Sequence, residues 1–140
     1  MKLVDTNVLL YAVDRTTVHH RTARHWLDGA LGGSAPVAFA WLSLVGFIRI
    51  ATHPSIAANP LTPAQAMDIV DGWLDARSAR VLHPGARHAP LLRNLLDSGS
   101  AGNLTNDTHL AALALEHKAT MVTYDRDFAR FTGLRVERPL

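Results

Sequence analysis

The stretch Lys2-Leu3-Val4-Asp5-Thr6-Asn7-Val8-Leu9-Leu10-Tyr11 constrains this chain more than any other. A short apolar run, the length of a buried strand, stops abruptly at three polar residues. A second apolar run resumes at helical spacing, with Val8, Leu9 and Tyr11 or Ala12 on one side. The reading is strand, turn, helix. In an open α/β sheet, ligands collect where strands end and helices begin, and Asp5 stands at such a point. Asp is also a favoured helix N-cap, typically worth about 1 kcal/mol. Asp5 alone therefore leaves two readings open, a cap or a cation ligand.

The rest of the chain repeats the pattern. Near the far end, Thr120-Met121-Val122-Thr123-Tyr124 runs into Asp125-Arg126-Asp127-Phe128, and between the two strands an isolated acid opens a helix in Asn106-Asp107-Thr108-His109-Leu110. Three separated acids at element boundaries point to one convergent site. The intervening periodicity predicts helices over Thr16 to Leu31, Trp41 to Ala51, Arg87 to Asp97 and Asp107 to His117, and another opened by Thr62-Pro63. Strands are predicted at Pro36 to Ala40, Val81 to His83 and Ala119 to Tyr124, with an edge strand at Leu134 to Val136. The order β-α-α-β-α-α-β-α-α-β predicts a parallel sheet with right-handed crossovers and helices on both faces. The helix at Trp41 to Ala51 is apolar on most sides and is expected to be buried on more than one face. Trp26, Trp41 and Trp73 are expected to anchor the core.

Composition narrows the function classes. With 140 residues, 48% of them hydrophobic and 19% charged, the chain is expected to fold as one domain over residues 1–140. No apolar run is long enough to span a bilayer, and no signal peptide is evident. The absence of cysteine excludes disulfides and thiolate metal sites and fits a cytoplasmic address. Net charge is only +2, yet 12 of the 14 basic residues are Arg, the side chain best suited to bidentate phosphate contacts; they are scattered rather than clustered. Asp68, Asp71 and Asp75 read as a solvated helix face. His19, His20 and His25 read as surface residues, and His83 and His88 as packing or surface.

Four segments together carry a resemblance. They are Leu3-Val4-Asp5-Thr6-Asn7-Val8-Leu9-Leu10-Tyr11-Ala12, Phe47-Ile48-Arg49-Ile50-Ala51-Thr52-His53-Pro54, Asp107-Thr108-His109-Leu110-Ala111-Ala112-Leu113-Ala114 and Asp125-Arg126-Asp127-Phe128-Ala129-Arg130-Phe131. In this order and at this chain length, the sequence resembles the PIN-domain ribonucleases, and closely the VapC toxins of VapBC toxin–antitoxin pairs. The resemblance implies a three-layer α/β/α fold with a small parallel sheet of four or five strands. It implies a Mg²⁺- or Mn²⁺-dependent endoribonuclease that uses water to leave a 5′-phosphate and a 3′-hydroxyl on tRNA, rRNA or mRNA.

Matched position by position, Asp5 is the family's first acid, Asp107 the third and Asp125 the fourth, with Asp127 an additional acid. Asp5, Asp107 and Asp125 would hold the metal, supported by Thr6, Asn7 and Thr123, while Arg49 and Arg126 would contact RNA. The family's second acid falls on Gly46. Either water serves where that Glu would ligate, or Glu116 or Asp127 compensates, or metal binding is weak and the protein is a non-catalytic RNA- or partner-binding module. The resemblance also implies homodimerisation and a VapB-type antitoxin whose tail covers the acidic groove, with DNA met only through that antitoxin. Two other chemistries stay in view: an aspartyl phosphatase, which would need an acid where Asn7 stands, and a DNA nuclease with the same metal logic.

Overall fold

The computed structural model describes residues 1–140. Five strands, β1 (Lys2–Val4), β2 (Val37–Phe39), β3 (Ala79–Val81), β4 (Thr120–Val122) and β5 (Val136–Glu137), form one parallel sheet in the order β3-β2-β1-β4-β5. Six helices flank it: α1 (Thr6–Val13), α2 (His20–Gly32), α3 (Trp41–Ala51), α4 (Pro63–Leu74), α5 (His88–Leu95) and α6 (Thr105–Glu116). This is the expected three-layer α/β/α fold.

The strand order positions the site. The chain steps outward from β1 through β2 to β3, then returns to pair β4 against the other edge of β1. The order of strand addition thus reverses at the parallel β1–β4 pair, and a crevice opens beyond the carboxyl ends of strands at such a switch point. Register aligns Leu3 with Met121 and Val4 with Val122. The residues that follow, Asp5 and Thr123, emerge side by side.

Strand alternation divides the core. Val4, Val37, Phe39 and Val122 face α1 to α4, while Leu3, Ala38 and Met121 face the α5–α6 side. On the first face Phe47 meets Trp73 edge-on at 4.9 Å. On the second, Leu110 to Ala114 of α6 are buried all round, as their unbroken apolar run predicts.

Several boundaries differ from expectation. Strand β3 begins two residues early, at Ala79, because Ala79 pairs with Val37; exposed Arg80 hides it from an apolar-run reading. Helix α2 starts at His20, since Asp14 accepts hydrogen bonds from both the amide and the hydroxyl of Thr16 and holds a turn there. Helix α6 begins at Thr105, so Asp107 sits within its first turn. Helix α5 passes into a single π turn, Leu96–Ser100, which Gly99 breaks at φ +101°. Strand β5 begins at Val136, where the edge strand was expected to end.

Helix α3 is not buried on several faces. Ser43, Leu44, Phe47 and Ala51 pack inward, leaving Trp41, 44% exposed, and Val45, 55% exposed, on the opposite stripe with Arg49. Trp41 is therefore no core anchor, whereas Trp73 is buried and Trp26 packs against the first cluster. No helix is long and apolar enough to cross a membrane.

Candidate active site

Strand β1 ends and α1 begins at Asp5. Its amide still donates to Val122 O at 3.0 Å, extending the β1–β4 ladder by one rung. Its side chain caps α1 by accepting from the Thr6 amide at 2.7 Å on Oδ1. A cap alone does not account for the rest. Asp5 is 6% exposed, and its Oδ2 accepts from the Thr123 hydroxyl at 2.7 Å and from Asn7 Nδ2 at 3.3 Å. The Thr123 bond ties the first strand to the last motif.

Asn7 and Thr123 lock this arrangement. Asn7 Oδ1 accepts from the Tyr124 amide at 3.1 Å. A backbone N–H can only donate, so the amide orientation is fixed and Nδ2 must face Asp5 and Thr123, whose hydroxyl it meets at 3.2 Å. Thr123 Oγ1 gives its single proton to Asp5 and accepts from the Asp125 amide at 2.9 Å. Asp125 Oδ1 in turn accepts from the Asp127 amide at 2.9 Å, opening a 3-10 turn over Arg126–Arg130. The short stretch from Thr123 to Asp127 thus presents two acids beside Asp5.

Asp107 enters from the opposite layer. The buried Thr108 hydroxyl lies 2.7 Å from Leu104 O and 2.9 Å from Ser100 Oγ, and Ser100 Oγ donates to Leu95 O at 2.8 Å. These bonds pin the start of α6 to the π turn and hence fix where Asp107 projects.

The acids lie near enough to act on one another's charge. Burial pushes the Asp107 carboxyl up to about 6, reinforced by Asp5, Asp125 and Asp127 and partly opposed by Arg130. Burial also raises Asp5, against the lowering effect of its hydrogen bonds, and Asp125 adds to the rise. Burial is the larger cause for both carboxyls, and their neighbours' charge adds to it. No three acidic or imidazole side chains stand close enough to form a finished coordination shell. The donor set nevertheless fits a hard divalent cation, being all carboxylate oxygen with no sulfur.

The other expected residues fall as follows. Thr6 donates its hydroxyl to Ser43 O at 3.3 Å and lies against Gly46, where an added Cβ would meet Thr6 Oγ1 at 3.1 Å. The position matched to the family's second acid therefore does face the start of α1. Arg126 is exposed beside Asp125, whereas Arg49 lies on the outer face of α3. Glu116 cannot compensate for Gly46. Nine residues separate it from Asp107, about 13 Å along α6, and it is occupied by the amides of Gly85 at 2.8 Å and Arg87 at 2.9 Å. Arg130, the cation acting on Asp107, is signalled in the sequence only by its spacing three residues after Asp127 in the turn.

The chain matches the family model described as PIN domain over residues 2–134. It is 49% identical over 140 residues to "Ribonuclease VapC37" of Mycobacterium tuberculosis, covering 99% of this chain and 97% of that one. It is 38% identical over 141 residues to "Ribonuclease VapC33" of the same species, covering 100% and 99%. Among solved structures it resembles VapBC2 from Rickettsia felis, described as bound to a DNA fragment from its promoter, with a TM-score of 0.73, 19% identity and coverage of 99% and 98%. It also resembles Mycobacterium tuberculosis VapC20, with a TM-score of 0.69, 16% identity and coverage of 96% and 99%. At these identities the structural likenesses establish the fold alone.

Asp107→Asn is expected to raise the thermal midpoint in EDTA near pH 7.5. The unfolded carboxyl titrates near 3.9 and the folded one at about 6, so the folded protein binds the proton more tightly. Wild type therefore loses stability relative to the variant as pH rises from about 4 to 6, and keeps that deficit above. The gap should close below about pH 4. Midpoints measured from pH 3.5 to 8 check this; equal midpoints throughout would show that Asp107 does not share the groove's charge.

Proposed function

The chain belongs to the PIN-domain family, and on that premise we propose that it is a divalent-metal-dependent endoribonuclease, the toxin of a toxin–antitoxin pair. The observation that carries the reading is that Asp5 and the Asp125–Asp127 turn leave the sheet together at the β1–β4 switch point, tied by Thr123, with Asp107 near enough to feel their charge in addition to its burial. Residues 1–140 act as one catalytic unit in the cytoplasm.

Asp5, Asp107 and Asp125 would hold Mg²⁺ or Mn²⁺, with Asp127 at their side. When bound, such an ion supplies Lewis-acid activation of water and neutralises charge at the scissile phosphate. The chain's own residues set up that chemistry. Thr123 and Asn7 hold the Asp5 carboxylate in one orientation. Near pH 6 Asp107 would give up its proton as a cation enters the groove. Arg130 moderates the charge on Asp107, and Arg126 and, farther out, Arg49 contact RNA phosphates. Water is the nucleophile, and cleavage leaves a 5′-phosphate and a 3′-hydroxyl. No serine or cysteine nucleophile is required. The phosphatase reading fails for want of an acid at Asn7, whose amide is committed to Tyr124 and Asp5.

The partner is a VapB-type antitoxin whose tail covers the acidic groove. Homodimerisation would bury Trp41 and Val45 on the open stripe of α3. A second reading, a PIN-like module that binds RNA without cutting it, rests on Gly46. It is disfavoured because the four other acids remain together.

Purified protein is expected to cut end-labelled cellular RNA with Mg²⁺, and to stop in EDTA or on Asp5→Asn substitution while the circular dichroism spectrum is unchanged. Undiminished cutting by Asp5→Asn would sink the assignment. Failure of the wild type to cut tRNA, rRNA and mRNA with either Mg²⁺ or Mn²⁺ would favour the module reading.

Gly46→Glu is expected to tighten Mn²⁺ binding roughly tenfold, since affinity at such sites rises with ligand charge. Thr6 must give way by a few tenths of an ångström, and its long bond to Ser43 O leaves room for that. Unchanged affinity in a calorimetric titration would mean that position 46 does not reach the metal.

A further inference from the structure

Tyr124 lies between two of the site's working residues, Thr123 and Asp125, yet its side chain serves none of the acids. Strand alternation turns it with Val122 to the α1–α2 side, where it packs against the first core cluster. There it joins a group of planar side chains. The His19 ring stacks on it at 4.6 Å with 30° between planes, Tyr11 meets it edge-on at 5.2 Å, and the Arg138 guanidinium carbon lies 4.8 Å from its ring centre. His19, expected at the surface, is drawn in by this stacking.

The same residues line a cavity. His19, Tyr124 and Arg138, with Thr22, Pro139 and Leu140, line an open surface pocket of about 370 Å³, within the range of about 300–1,000 Å³ usual for small-ligand sites. The Tyr124 hydroxyl is buried and has no hydrogen-bond partner, an unmet polar group of the kind that normally finds one. The pocket thus combines a stacked imidazole and phenol with an exposed guanidinium, and the buried Tyr124 hydroxyl lies behind them without a partner.

It is also joined to the acids. The Tyr124 amide donates to Asn7 Oδ1, and Asn7 donates to Asp5. Asp107 approaches from the α6 layer and Tyr124 faces the α1–α2 layer. A strand laid across the carboxyl edge of the sheet would therefore meet the acids and then this cavity.

We propose that His19, Tyr124 and Arg138 form a nucleobase-stacking subsite that receives an unpaired base of the RNA next to the phosphate held at the acids. Unpaired RNA bases are recognised by stacking on aromatic rings and guanidinium planes, with hydrogen bonds to their edges. A base in a duplex is already stacked and paired, so the subsite selects single-stranded substrate. The proposal rests on the ribonuclease reading and adds a specificity element to it.

The test uses the full chain in EDTA, so that binding is measured without cutting. Fluorescence anisotropy compares a labelled single-stranded 12-mer RNA with its duplex, at fixed ionic strength, for wild type, His19→Ala, Arg138→Ala and Arg138→Lys. Arg138 is exposed, so its variants should fold, and circular dichroism checks this. Loss of one stacked base is expected to weaken single-strand binding about tenfold in both alanine variants, with duplex binding unchanged. Lysine keeps the charge but not the plane, so it should not restore affinity. Wild-type affinity in the lysine variant would make Arg138 a point charge and overturn the stacking subsite. Unchanged single-strand affinity in all three variants would also overturn it and leave the cavity to a peptide ligand. Cleavage by wild type with Mg²⁺, run in parallel, separates the two ideas: cutting with no effect of these variants retains the nuclease and removes the subsite.

Discussion

The Thr123 hydroxyl, donating to Asp5 across the β1–β4 boundary, is the contact on which the site depends. It joins the first strand of the chain to the last functional motif. It fixes which way the Asp5 carboxylate faces, and by accepting from the Asp125 amide it sets the turn that presents Asp125 and Asp127. Asn7 closes the circuit by bonding Asp5, Thr123 and the Tyr124 amide at once. A carboxylate buried to this degree needs such partners, because a buried charge without hydrogen bonds is costly. The fold supplies them by pairing strands that lie more than a hundred residues apart in sequence.

Topology explains why the acids meet there. The reversal of strand order between β1 and β4 opens the sheet at its carboxyl edge. Asp5, Asp125 and Asp127 come from that edge and Asp107 from the first turn of α6. Their mutual repulsion adds to the burial that raises the Asp107 carboxyl. The same repulsion is what a bound cation would relieve, so its cost without metal and the proposed affinity for metal would have one origin.

Much of this was legible in the sequence. The apolar run at Leu3-Val4, the polar break at Asp5-Thr6-Asn7 and their echo at Val122 to Asp127 pointed to strands of a parallel α/β sheet, and the PIN-domain resemblance to the fold; the strand order itself was not legible. Other features depend on tertiary context. Arg80 hid the start of β3, because strand pairing there outweighs local polarity. The α3 stripe looked buried because Trp41 and Val45 are apolar, but helix packing covers only one side. Glu116 was a plausible substitute for the missing acid until the helix length separated it from the site. The residues around Tyr124 were read singly, as surface histidine and scattered arginine, because no sequence period connects His19 with Arg138.

The central claim is that Asp5, Asp107 and Asp125 hold one cation in common, with Asp127 at their side and Asp107 partly protonated near pH 6 until it arrives. Calorimetric titration with Mn²⁺ in buffers of differing ionisation enthalpy measures it directly. At about pH 6, where Asp107 is near half-protonated, binding should release roughly half a proton or more per ion, and near pH 8 almost none. The release should fall in Asp107→Asn. Equal proton release at both pH values, or Mn²⁺ binding indifferent to Asp107→Asn, would contradict the account.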